Sequence, residues 1–132
     1  MPEPAVAILG DRFPRAARLR RRGEFDRCYR QGRRLHAGAF TLHALPGAGP
    51  VARLGTTVTR RVGGAVTRQR LKRWTREVFR RSPSRAALAG CDLVVHFRPD
   101  AARLAFAELQ RELERLLAEA ASPTFVVLGG LA

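Results

Sequence analysis

The chain has 132 residues, a formal net charge of +14 and a hydrophobic fraction of 45%. That apolar content is enough for a buried core, so the charge does not signal a disordered tail, and the length favours one domain, 1–132. Two cysteines outside any C-x-x-C spacing exclude a disulfide framework and suggest a reduced, cytoplasmic setting.

Residues 1–17 read as a loose leader punctuated by Pro2, Pro4 and Pro14. Ala5 to Leu9 is too short for a signal peptide and follows Glu3 rather than a basic segment. No apolar run approaches the roughly 20 residues of a transmembrane helix, so no membrane partner is expected. The main body, 18–121, opens on basic residues Arg18 to Arg22. Gly23-Glu24-Phe25-Asp26 then starts a short helix that reaches Arg30 and closes at Gly32. Phe25 and Tyr29 stand four apart and share one face of it.

Leu35 to Leu45 reads as one extended segment. Ala39, Thr41, His43 and Leu45 alternate with Phe40, Leu42 and Ala44, the period of a strand. Pro46 to Pro50 is a turn cluster. Val51 to Thr59 is a second strand with Leu54, Thr56 and Val58 on one side. The two strands are expected to pair as an antiparallel hairpin.

Arg60 to Arg81 holds nine Lys/Arg residues against one acid, Glu77. Gly63-Gly64 and Pro83 bracket a helix within it. At about 100° per residue, Leu71, Trp74, Thr75 and Val78 fall on one face, while Gln69, Lys72, Arg73, Arg76 and Arg80 fall opposite. Solvated helices usually interleave both signs. A comb of like charge instead implies a polyanionic partner, and arginine forks suit phosphate oxygens.

Cys91 to Arg98 is a further strand, in which Cys91, Leu93, Val95 and Phe97 alternate with Asp92, Val94, His96 and Arg98. Pro99 ends it, and Asp100 is the expected N-cap of a helix running to about Ala121. Its stripe is Leu109, Leu113, Leu116 and Leu117. The tail, 122–132, is apolar and glycine-rich, and the pattern assigns it no place.

The order helix, strands, helix, strand, helix gives an α+β fold with helices packed on a small central sheet. No zinc spacing, H-E-x-x-H or phosphate loop is present, so no catalytic or metal-binding side chains are expected. His36, His43 and His96 lie in or near strands without a carboxylate pattern, and Asp92 reads as an ion-pair partner.

The run R-V-G-G-A-V-T-R-Q-R-L-K-R-W-T-R-E-V-F-R closely resembles the signature helix of the protein component of bacterial ribonuclease P. That family reads approximately K-V-G-N-A-V-x-R-N-R-x-K-R-x-x-R-E-x-F-R. Gly64 and Gln69 stand where the family has asparagine; glutamine keeps the amide but adds a methylene. The resemblance covers about residues 13 to 118. It implies a single-domain α/β sandwich in which the strands flanking the basic helix are parallel and joined by a left-handed crossover, against the usual hand. It also implies a protein cofactor of a ribonucleoprotein endoribonuclease, a hydrolase, that removes the 5′ leader of precursor tRNA. The RNA subunit would hold the chemistry and most of the Mg2+. Arg60, Arg61, Arg68, Gln69, Arg70, Lys72, Arg73 and Arg76 match the family's RNA-facing positions. Phe25, Tyr29 and His43 match the cleft that receives the single-stranded leader, where rings stack on bases. The competing readings are a general RNA- or DNA-binding module of ribosomal or nucleoid type, and an amphipathic helix for a membrane surface or a protein partner.

Overall fold

The computed structural model describes residues 15–47 and 49–122. Helix α1 (Arg22–Gln31) begins where Glu24 turns back to accept hydrogen bonds from the backbone N–H groups of Arg20 (3.3 Å) and Arg21 (3.1 Å). Two otherwise unpaired amides at the helix start are thereby satisfied. Strands β1 (Arg33–His36), β2 (Phe40–Leu45) and β3 (Arg53–Thr57) follow. Helix α2 (Ala65–Arg81), strand β4 (Asp92–Phe97) and helix α3 (Phe106–Ala120) complete the order.

The four strands form one mixed sheet in the order β1-β2-β4-β3. Alternation decides which side chains go to which face. Phe40, Leu42 and Ala44 of β2, Leu54 of β3, and Leu93, Val95 and Phe97 of β4 enter the larger core. There they meet Leu71, Val78 and Phe79 of α2, and Leu109, Leu113, Leu116 and Leu117 of α3. Burying each such leucine or phenylalanine stabilises the fold by about 1.5–3 kcal/mol. Thr75 also lies on the buried face of α2, and its hydroxyl donates to the Leu71 carbonyl at 2.7 Å. The opposite sheet face carries a smaller cluster, Leu19, Cys28 and Val94, with Phe25, Tyr29 and Leu45 against it. Helix α1 packs there.

Strands β3 and β4 run parallel, from Arg53 opposite Asp92 to Thr57 opposite His96, and α2 is the connection between them. That much of the implied topology is present. The expected hairpin between Leu35–Leu45 and Val51–Thr59 is not. β4 lies between β2 and β3, antiparallel to the first and parallel to the second. The reason is burial: five of its six residues are buried, so it belongs at the centre of the sheet.

Leu35 to Leu45 also divides. Ala37-Gly38-Ala39 is a turn, and β1 and β2 form the actual hairpin. Arg98 holds that turn to the end of β4. Its guanidinium donates to the carbonyls of Ala37, Gly38 (2.9 Å) and Phe40 (3.2 Å) and to the Thr41 hydroxyl (2.7 Å).

Asp100 is not the N-cap of the last helix. Pro99–Arg103 is a separate 3₁₀ turn, and α3 starts only at Phe106 after Ala105. Proline at the first turn position suits that tight geometry. Part of the expected leader is structured: Arg15–Ala17 is a 3₁₀ turn, and Arg18 bridges to Leu54 alongside β3. Residues 1–14 and the tail beyond Ser122 lie outside the described residues.

Candidate nucleic-acid interface

The strand register sets two rows of side chains across the sheet face that α1 only partly covers. One row runs Arg34, His43, Val94, Gly55; the other runs His36, Thr41, His96, Thr57. Helix α1 lies over the Val94 and Gly55 end. A cavity of about 330 Å³ remains beside it, lined by Tyr29, Arg34, His36, Thr41, His43 and His96. Tyr29 and His43, two of the three expected cleft residues, are therefore together. Their ring centroids are 4.8 Å apart, edge to face. Among the described residues no carboxylate lines this cavity.

Phe25, the third, is half-buried against Leu19 and Val94. A Cβ built on Gly55 would come within 2.5 Å of its ring, so glycine is what admits the ring to the sheet surface. Gly55→Ala is therefore expected to lower stability by about 1–3 kcal/mol through overpacking. Chemical denaturation measures it, and a variant as stable as wild type would show that the Phe25 ring is free to move.

Tyr29 is held at its far end. Its hydroxyl hydrogen-bonds to the Thr57 hydroxyl and lies 3.2 Å from His96 Nδ1. Burial raises the phenol above its ordinary range, so it stays protonated at neutral pH. Burial, with Arg34, His96 and His36 nearby, pulls His43 down to about 4, and it is neutral at pH 7. His43 Nδ1 is enclosed without a partner. His96 is likewise lowered, by burial and then by Arg98.

Below the cleft, an ion network fixes α1 to the sheet. Arg53 forks onto Asp92, Nε to Oδ1 and Nη2 to Oδ2, both at 2.8 Å, and its Nη1 reaches Glu24 at 2.7 Å. Arg27 joins Asp92 at 3.5 Å. Asp92 is thus an ion-pair partner, as its strand position suggested. Burial raises the Glu24 carboxyl, but the Arg21 and Arg20 amides and Arg53 outweigh it and hold it below the usual range. Cys28 lies beside this network, and burial pushes its thiol up to about 11.

On α2, Leu71, Thr75 and Val78 are buried, while Gln69 and Arg73 are exposed and Lys72 and Arg76 are half-buried. Arg60 and Arg61 are exposed on the turn before it. Glu77 is taken by Arg80 (2.8 Å) and Arg81 (2.7 Å). Among the described residues, Arg60, Arg61, Arg68, Arg70, Lys72, Arg73 and Arg76 therefore have no carboxylate partner. Arg68 donates from Nε to the Gly63 carbonyl at 3.1 Å, which aims its outer nitrogens beside the helix start. Arg70 turns toward α3. Its guanidinium sits 5.2 Å from the Trp74 ring centre and donates to the Ala102 carbonyl at 3.5 Å. Trp74 in turn packs edge to face on Phe106. Arg76 is pushed below the usual arginine range by burial and by the charge of Arg18.

Sequence reasoning missed His96, Thr57, Arg34 and Thr41 as cleft residues. Alternation put His96 and Thr41 on the correct faces, but only the strand order brings them beside Thr57 and Tyr29.

An electropositive helix and a cleft lined by a tyrosine and three histidines thus stand on one small α+β domain. Comparison with known proteins makes this specific. The family model for ribonuclease P matches residues 13–121. The ribonuclease P protein component of Xylella fastidiosa (strain 9a5c) is 45% identical over 107 residues, 80% of this chain and 77% of that one. That of Roseiflexus castenholzii is 40% identical over 107 residues, 80% and 87% of the two chains. With the Desulfovibrio desulfuricans protein component the match is 50% over 70 residues, and spans about half of that relative's length (54%). Among solved structures, the RNase P protein of Staphylococcus aureus superposes with a TM-score of 0.72 at 27% identity, covering 80% of this chain and 96% of that one. The Thermotoga maritima protein gives 0.67 at 33%, covering 77% and 96%. The chain belongs to this family of ribonuclease P protein subunits.

Proposed function

We propose that the chain binds the catalytic RNA of ribonuclease P through the outer face of α2, and takes the single-stranded 5′ leader of precursor tRNA into the cleft beside α1. It thereby assists endonucleolytic removal of the leader in the cytoplasm. The observation that carries this reading is the pairing of two cationic surfaces of different shape, in which the one acid of α2, Glu77, is already taken by Arg80 and Arg81. One is a helix for phosphates, and the other is a cleft of ring-bearing side chains for unpaired bases. Among the described residues no three His, Cys, Asp or Glu side chains converge as metal ligands. From the family resemblance, the chemistry and most of the Mg2+ are assigned to the RNA subunit. Among the described residues no helix is long and apolar enough to cross a membrane.

The test is a cleavage assay with a bacterial ribonuclease P RNA and precursor tRNA at low magnesium. Addition of the chain is expected to restore a mature 5′ end. Binding of RNA without any gain in cleavage would favour a general RNA- or DNA-binding module.

Gln69 tests the role of α2. Gln69→Asn is expected to bind the RNA subunit as well as wild type or slightly better. Gln69→Leu is expected to weaken binding by about 1–2 kcal/mol, because leucine cannot make the amide hydrogen bond. Filter binding at fixed salt distinguishes them, and equal affinities would mean that no hydrogen bond forms at this position.

A further inference from the structure

Thr57, Tyr29 and His96 come from β3, α1 and β4 and form one hydrogen-bonded chain at the edge of the cleft, through the Tyr29 hydroxyl. Two of its members are hydroxyls, which both donate and accept. The chain therefore runs in either direction. With His96 neutral, Thr57 donates to Tyr29, Tyr29 donates to Nδ1, and the proton of the imidazole sits on Nε2. With His96 protonated, Nδ1–H donates to Tyr29, and Tyr29 donates to Thr57. Tyr29 stays anchored in both states, and the second places a full positive charge in the cleft wall.

We propose that His96 is the positioning residue of this cleft, holding Tyr29 for the incoming strand and taking up a proton when single-stranded RNA enters. This rests on the leader-cleft reading above and goes beyond it by naming a proton-linked group. The surroundings support the sign. Facing His96 are Tyr29 from α1, Thr57 from β3, Thr41 and His43 from β2, and Arg98 on its own strand; His36 and Arg34 of β1 complete the cavity. None is a carboxylate; Asp26, exposed on α1, bears on the Tyr29 phenol. In the free chain, burial and Arg98 therefore keep His96 neutral near pH 7. Phosphates brought into the cleft reverse that balance, because an adjacent anion favours the imidazolium.

The experiment uses the full chain assembled with ribonuclease P RNA. Affinities for precursor and mature tRNA are measured from pH 8 to pH 6, and their ratio isolates the leader-dependent part. The ratio is expected to rise about three- to fivefold as pH falls to 6, the part of the tenfold limit of a one-unit rise in the His96 pKa that is reached at that pH. His96→Gln, whose amide can still reach the Tyr29 hydroxyl, is expected to give a flat profile. Thr57→Val is expected to lower the ratio at every pH but keep the slope, which a purely structural role for His96 would not predict. A pH-independent ratio in wild type, or a slope that survives in His96→Gln, overturns the proposal. Equal binding of precursor and mature tRNA at every pH removes the cleft reading itself, and this inference with it. If His96→Gln fails to fold, NMR titration of the His96 ring in the wild-type chain decides. A rise of about one pKa unit on adding a single-stranded RNA pentamer supports proton uptake, and no rise overturns it.

Discussion

Alanine at Arg68, Lys72 and Arg73 together is expected to flatten the salt dependence of binding to the RNA subunit. Each phosphate left without its cation reduces the log–log slope by about 0.7–0.9, so three reduce it by about 2–3. Near physiological salt that corresponds to roughly a hundredfold weaker affinity. The effect is electrostatic rather than structural, because α2 is anchored from its other side by Leu71, Thr75 and Val78. None of the three cations has a carboxylate partner among the described residues, so their removal leaves no buried acid unpaired. Titrations at several salt concentrations measure the slope, and circular dichroism checks that the helix persists. An unchanged slope would place the RNA-binding surface elsewhere than on α2.

Tyr29→Ala is expected to weaken binding of precursor tRNA by the assembled ribonucleoprotein by about 1–3 kcal/mol, the value of one base stacked on one ring. Affinity for mature tRNA and for the RNA subunit should stay close to wild type. Phe25→Ala behaves differently, because the Phe25 ring is packed over Gly55 and beside Leu19. It is expected to lower the melting temperature first. Equal losses by Tyr29→Ala on precursor and mature tRNA, with the fold intact, would count against the leader cleft.

The helices and the faces of the strands were legible because each rests on local periodicity. Phe40, Leu42 and Ala44 alternate with Thr41 and His43, and the structure sends the two sets to opposite faces. Leu71, Thr75 and Val78 mark the buried stripe of α2 in the same way. Pairing was not legible from periodicity. Nothing in the residues from Leu35 to Thr59 announces that a strand made more than thirty residues later will lie between β2 and β3. The shortest connection suggested a hairpin, and β4, more fully buried than β3, overrode it by taking the place beside β2. The turn at Gly38 was hidden because one glycine between extended residues also suits a bulge. Tyr29 and His43 were found as cleft residues through their motif positions. His96 and Thr57 escaped because their meeting depends on strand order alone.

Among the described residues β4 is the last strand in sequence, yet it is an interior strand of the sheet, between β2 and β3. As the nascent chain leaves the ribosome, β1 and β2 can close their hairpin, but β2 keeps one edge open and β3 has only the single bridge from Arg18 to Leu54. Both wait until Phe97 has emerged, and a chain stopped before Asp92 holds two pieces of sheet that share no hydrogen bonds. Open strand edges of this kind are sites of mispairing between chains. The strands made early are interrupted by Gly38 and Gly55 and bordered by Arg33, Arg34 and Arg53, a composition that discourages such pairing during synthesis.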